Sequence, residues 1–150
     1  MNTNRTILHV DDDPSLLRLV AAKLTAHGCN VISLSDPTCA AQVLLDSGAR
    51  LALLDIDMPH INGLDLLHDI KQLDGGIQVI MLTGAVSMSS VLQSLRWGAE
   101  SCVFKPIDDF RPLLTAVDAA FEKIDRWWEC LRDLQQRRSG ASSGQAVSAH

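Results

Sequence analysis

Five short runs, Thr6–Val10, Asn30–Leu34, Leu51–Leu54, Ile77–Leu82 and Cys102–Phe104, recur along this chain with helix-periodic stretches between them. Runs of this length are strand-sized, and those without polar alternation suit strands covered on both faces. The intervals carry helix signals. Pro14 stands at a helix start ahead of Leu16, Leu17, Val20 and Leu24, and 37–46, 64–70, 87–97 and a segment opening near Asp108 read as further helices. Strand and helix in strict alternation call for an α/β fold, a parallel sheet with helices on both sides, and right-handed crossovers leave few strand orders. Ligands of such sheets bind beyond the carboxyl ends of the strands, so the polar residues there are the ones to inspect.

The 150 residues, 47% hydrophobic and 21% charged, can fill one core and not two large ones. No apolar run approaches the roughly 20 residues of a membrane helix, and the opening MNTNRTILHVDDD has no signal-peptide stretch, so a cytoplasmic location is expected. Net charge is −5 and the basic residues are scattered apart from Arg137-Arg138, from which no direct nucleic-acid contact is expected. Cys29, Cys39, Cys102 and Cys130 lack metal-ligand spacing and read as buried thiols, neither zinc ligands nor disulfide partners. Residues 1–122 read as the domain, 123–138 as an extension of its last helix, and the small, polar, unperiodic 139–150 as a flexible tail.

Four strand ends deliver reactive groups to one rim: Asp11-Asp12-Asp13 after the first, Asp55 after the third, Thr83 after the fourth and Lys105 after the fifth. Any one acidic residue there could simply cap a helix or populate a loop. Several carboxylates together repel, and such a set persists near neutrality only if a cation or proton compensates it. All-oxygen donors suit Mg²⁺, which keeps several waters and is completed by phosphate oxygens. Lys105 can pair with a carboxylate or a phosphoryl oxygen, and the Thr83 hydroxyl can donate to another. Asp55, ending the central apolar strand, is the best nucleophile.

The runs ILHVDDDPSLLRLV and LALLDIDMPHINGLDLL, the pair Thr83-Gly84 and the triplet Phe104-Lys105-Pro106 together resemble the receiver domains of bacterial two-component response regulators, over about residues 5–121. The resemblance implies a flavodoxin-like (βα)5 doubly wound sheet of strand order 2-1-3-4-5, here with an extended C-terminal helix. It implies that Asp11, Asp12 and Asp55 hold Mg²⁺ together with the backbone carbonyl of Asp57. Asp55 would accept a phosphoryl group from the phosphohistidine of a sensor histidine kinase or a phosphotransfer protein, with Thr83 and Lys105 binding its oxygens. Signalling would follow through altered contacts with a downstream protein. Such a chain is a phosphoacceptor with slow self-dephosphorylation rather than an enzyme, at a rate tuned by Asp57 and Ala85. The Lys105-Pro106 peptide is expected to be cis.

Asp13 matches no ligand position and reads as a helix cap. Asn62-Gly63 has turn composition, the glycine being expected to supply a positive φ. Gly84 stands where the family often has alanine, and Cys102 where it usually has an aromatic residue that turns inward on activation. The side of the sheet to which His9 points is open, while His27, His60 and His68 read as surface or helix-edge residues and Trp97 as a helix-end packing residue. Two other functions compete: a receiver-like scaffold that is never phosphorylated, and a haloacid-dehalogenase-type phosphohydrolase with Asp11 and Asp13 as its Asp-x-Asp pair. Finally, Phe110, Leu114, Val117, Phe121, Ile124, Trp128 and Leu131 recur in steps of four and three, a seam whose last three members are expected to meet a second copy and form a homodimer.

Overall fold

The computed structural model describes residues 4–84 and 87–148, with side chains as far as Gly140. The strands are β1 (Thr6–Val10), β2 (Asn30–Leu34), β3 (Leu51–Leu54), β4 (Gln78–Thr83) and β5 (Ser101–Phe104). Between and after them run α1 (Pro14–Ala26), a short 3-10 turn (Pro37–Cys39) leading into α2 (Ala40–Ser47), α3 (Gly63–Leu73), α4 (Met88–Arg96) and α5 (Arg111–Ser148). All strand pairs are parallel, in the order β2-β1-β3-β4-β5. The doubly wound topology expected from the sequence is therefore the one observed.

Side-chain alternation splits the core into two layers. Leu8, Val10, Ala52, Leu54, Val79 and Met81 face Ala40 and Leu44 of α2 and Leu66, Leu67 and Ile70 of α3. Ile7, Leu51, Leu53, Ile80, Leu82 and Val103 face Val20 and Leu24 of α1 and Leu113, Val117, Phe121 and Ile124 of α5. Each large side chain fully buried this way contributes about 1.5–3 kcal/mol. By contrast α4 buries only Ser94 and leaves Met88 and Leu95 largely exposed.

Caps fix the helix starts. Asp13 accepts from the amides of Ser15 (3.0 Å) and Leu16 (3.4 Å) at the head of α1, which is the capping role read from the sequence. Asn62 does the same for α3, accepting from Leu64 N–H at 2.8 Å. Gly28 and Gly98, with φ of 91° and 92°, follow the caps of α1 and α4 and turn the chain toward the next strand. The Lys105-Pro106 peptide is cis, as expected.

Three details depart from the sequence reading. α5 opens at Arg111, where Asp109 accepts the Arg111 N–H at 3.0 Å, and it runs unbroken to Ser148, through most of the stretch read as a tail. Residues 149–150 lie outside the described residues. Ile124 belongs to the domain's own core at 5% exposure, because α5 still lies against the sheet there. The exposed part of the seam is Trp128 and Leu131, joined by Trp127 and Leu134. Cys29 is buried and Cys102 half-buried, whereas Cys39 and Cys130 are exposed on helical turns, correcting the reading of four buried thiols; all four are free.

Candidate functional site

The parallel ladder continues past the ends of the strands and carries the reactive residues with it. Asp11 N–H donates to Leu34 O (3.1 Å), Asp55 N–H to Val10 O (3.1 Å) and Lys105 N–H to Thr83 O (2.8 Å). The backbones of Asp11, Asp55 and Lys105 are thus fixed by the sheet itself. Their positions in the alternation follow Ile7, Leu53 and Val103, residues of the layer facing α1 and α5, so the three side chains converge on one side of the rim. Thr83 ends β4 fully buried, with the opposite parity to Leu82.

Asp11, Asp12 and Asp55 each offer a carboxylate oxygen, and these oxygens lie within 4.8 Å of one another. Lys105 Nζ donates to Asp11 Oδ2 at 2.7 Å and lies 3.4 Å from Asp55 Oδ1. Asp11 Oδ1 accepts from Asp13 N–H (2.9 Å), and Asp55 Oδ1 from Asp57 N–H (3.3 Å). Asp11 is wholly buried and Asp55 is 4% exposed, while Asp12 stands open to solvent. Three carboxylates face one ammonium. Burial pushes the Asp55 carboxyl up to about 6, Lys105 opposing and Asp11 reinforcing the rise. Burial works against the Lys105 ammonium, but the hydrogen bonds and charges of Asp11 and Asp55 together outweigh it and the net shift is upward. An all-oxygen donor set with excess negative charge in a partly dry rim fits a hard divalent cation such as Mg²⁺.

Asp57 is exposed and its carboxylate is outside the group of three; its N–H reaches Asp55 and its backbone bridges to Asn62. That bridge turns the chain so tightly that Gly63 meets the strand end. A Cβ on Gly63 would sit 1.9 Å from the Asp55 carbonyl oxygen, and Gly63 N–H donates to Ile56 O at 2.8 Å. The glycine is required by this close approach and not by a positive φ, which it does not have. Gly84 is under no such constraint, since its Cβ would lie 3.8 Å from Lys105 Cβ, an ordinary contact. Ala85 lies outside the described residues.

Cys102 sits half-buried against the layer facing α2 and α3 and offers no aromatic bulk beside the site. Trp97 packs on the same layer and its ring meets His68 at a centroid distance of 4.9 Å. His27 Nε2 pairs with Asp118 at 3.0 Å, remote in sequence from the rim residues. His9 was the residue the sequence left open. It points inward, is wholly buried, and stands with Nε2 3.9 Å from Asp11 Oδ2; neither ring nitrogen has a hydrogen-bond partner among the described residues. Burial first, and then Lys105, lowers its pKa to about 4, so the ring is neutral at pH 7. A buried polar group without a partner costs about 1–3 kcal/mol. The signal was legible as parity: Ile7, His9 and Asp11 occupy alternate positions of one strand.

Among known proteins, the family model described as the response regulator receiver domain matches residues 7–118. The transcriptional regulatory protein GlrR of Escherichia coli is 31% identical over 154 aligned positions, covering 94% of this chain and 34% of that protein. The DNA-binding response regulator MtrA of Mycobacterium tuberculosis is 32% identical over 128, covering 83% of this chain and 54% of that protein. A CheY-like receiver domain from Methanospirillum hungatei superposes with a TM-score of 0.77 at 28% identity, covering 82% of this chain and 98% of that one. The Thermotoga maritima response regulator TrrA, solved in complex with Mg²⁺ and beryllofluoride, gives 0.70 at 28%, covering 77% and 98%. The chain spans a third to a half of the length of these curated relatives. Their names, a transcriptional regulator and a DNA-binding regulator, leave the expectation of no nucleic-acid contact unsupported: scattered charge in this stretch speaks only for this stretch. Among the described residues no helix is long and apolar enough to cross a membrane.

Proposed function

Since the chain belongs to the response regulator receiver domain family, we propose that Asp55 is its phosphoacceptor, taking the phosphoryl group from a phosphohistidine of a sensor kinase or phosphotransfer protein. The observation that carries this reading is the Asp55 carboxylate at the end of β3, 4% exposed, with Lys105 at 3.4 Å and oxygens of Asp11 and Asp12 within 4.8 Å. In the transfer an Asp55 oxygen forms the new bond to phosphorus, the P–N bond of the donor breaks, and the donor ring nitrogen leaves with the electron pair. Fixing the Asp55 backbone on the β1–β3 ladder holds the nucleophile in one orientation. Lys105 and the Thr83 hydroxyl bind the phosphoryl oxygens, and Asp11, Asp12, Asp55 and the carbonyl of Asp57 hold Mg²⁺. When bound, the metal neutralises the carboxylates and draws the phosphoryl oxygens toward the rim.

The competing phosphohydrolase reading asks for Asp11 and Asp13 as an acting pair. Asp13 instead turns to cap α1 through Ser15 and Leu16, which leaves Asp11 without that companion. A scaffold without phosphoryl chemistry has no use for a buried Asp11 and a nearly buried Asp55 repelling each other. The output is altered protein contact, with a second copy meeting the exposed Trp127, Trp128, Leu131 and Leu134 of α5 as one partner. Incubation with acetyl phosphate and Mg²⁺, followed by intact mass and peptide mapping, tests the central claim. One adduct on Asp55 that disappears with EDTA is the expected result; an adduct on Asp11 or Asp13, or none under Mg²⁺, overturns it.

A further inference from the structure

His9 is polar where the sheet asks for nothing polar. Its neighbours in register are Leu53 on β3 and Ser33 on β2, and the layer it faces is otherwise built from Ile7, Val20, Leu51, Leu53 and Leu82. A leucine or valine there would bury without leaving ring nitrogens unpaired. The ring is not one of the clustered metal-ligand candidates, which are Asp11, Asp12 and Asp55. Its Nε2 stands 3.9 Å from Asp11 Oδ2, about 1 Å beyond hydrogen-bond length.

That oxygen already has a partner, and the partner has a second destination. Lys105 Nζ holds Asp11 Oδ2 at 2.7 Å with Asp55 Oδ1 at 3.4 Å. A phosphoryl group on Asp55 brings anionic oxygens to the same ammonium, where they compete with Asp11 for its N–H bonds. Asp11 is wholly buried while Lys105 covers it, and the oxygen that Lys105 leaves needs another donor. His9 is a side chain already beside it. With a proton on Nε2 the imidazole has its N–H on the nitrogen that stands 3.9 Å from Oδ2.

Resting on the phosphoacceptor reading above, we propose that His9 is a positioning residue for the phosphorylated state: its imidazole donates from Nε2 to Asp11 Oδ2 as Lys105 leaves that oxygen, holding Asp11 in place as a metal ligand. The unpaired ring of the free protein is then a donor held in reserve. Groups that orient a metal ligand from behind in this way typically matter about tenfold or more to the state they support.

The test uses the full chain uniformly labelled with ¹⁵N, free and with Mg²⁺ and beryllofluoride, the ligands named for the similar Thermotoga structure. His9→Gln assigns the His9 resonances among the five histidines. The expected result is an Nε2–H tautomer in the free protein whose Hε2 proton moves downfield when beryllofluoride is added. Beryllofluoride binding should weaken about tenfold in His9→Leu and recover most of that loss in His9→Gln, whose amide can donate from a similar place. An Nδ1–H tautomer, or a His9 resonance that stays still while the Asp55 amide shifts, overturns the proposal; so does a folded His9→Leu that binds as tightly as the wild type. The wild-type spectra decide the matter even if His9→Leu does not fold. Absence of any Asp55 response to beryllofluoride overturns the phosphoacceptor reading itself, and this role with it.

Discussion

Asp55→Asn should stabilise the metal-free protein at neutral pH, and the gain should have a defined pH profile. Burial raises the Asp55 carboxyl from 3.8 to about 6, so the folded state prefers it protonated. A group whose folded pKa is raised contributes stability that is present below its unfolded value and is lost as pH rises through the folded one. Ionised Asp55 therefore opposes folding increasingly between about pH 4 and pH 6, and fully above that. At about 1.4 kcal/mol per tenfold change in proton affinity, the shift sets a ceiling of about 3 kcal/mol. The carboxylate lies at a solvent-lapped rim beside Lys105, and screening reduces this to about 1–2 kcal/mol. Asparagine keeps the shape and removes the charge at every pH. Urea unfolding in EDTA at pH 4, 5, 6 and 7.5 should show the variant gaining nothing at the lowest pH and 1–2 kcal/mol at the highest. Saturating Mg²⁺ should erase the difference, since the wild type then binds the metal that the variant has lost a ligand for. A gain equal at all four values would mean that packing and not charge is responsible, and no gain at pH 7.5 would refute the electrostatic account of the rim.

Asp11→Asn and Asp12→Asn should each weaken Mg²⁺ binding at least tenfold in calorimetric titration, while Asp13→Asn, which still caps α1, should leave it within a factor of about two. Gly63→Ala should cost about 3 kcal/mol or more in urea unfolding because its Cβ meets the Asp55 carbonyl, whereas Gly84→Ala should change stability by less than about 0.5 kcal/mol. Acyl-phosphate decay followed after removal of phosphodonor should change severalfold in Asp57→Ala and in Ala85→Lys; rates equal to wild type in both would remove these positions from control of self-hydrolysis. Sedimentation of the full chain should show a concentration-dependent dimer that Trp128→Ser with Leu131→Ser abolishes, and a monomer up to the highest concentration reached would exclude association through α5.

The fold was legible because its signals are local. Leu51–Leu54 is apolar at every position, and a strand covered on both faces has no other way to look. Asp13-Pro14 marks a helix start by a cap and a fixed φ, and the structure begins α1 there. The misjudged features depend on what lies across space. Ile124 reads as surplus in the seam of α5, but the helix is still seated on the sheet at that height. Cys39 and Cys130 carry the same residue type as Cys29, and only the packing around each separates exposed from buried. Gly63 shows the limit well. The residue before it announces a turn, yet the demand on the glycine comes from a carbonyl eight residues upstream, which composition cannot disclose.

The candidate site divides along the same line. Strand ends name Asp11, Asp55, Thr83 and Lys105 because parallel topology must bring them to one rim, but topology does not say which oxygen a lysine chooses. Lys105 holds Asp11 at 2.7 Å and stands farther from Asp55, at 3.4 Å, so the proposed acceptor is the more weakly neutralised of the two buried carboxylates. Its raised pKa follows from burial, which Asp11 reinforces and Lys105 only partly opposes. A carboxylate whose charge is poorly compensated is destabilised at rest, and both a divalent cation and esterification by a phosphoryl group relieve it. In the proposed reading, esterification would draw Lys105 toward Asp55 and leave Asp11 less neutralised, with a bound metal and His9 as the remaining means of holding its charge. Phosphorylation on this reading would do more than add a group to one residue: it would draw an ammonium from the β1 end of the site toward the β3 end.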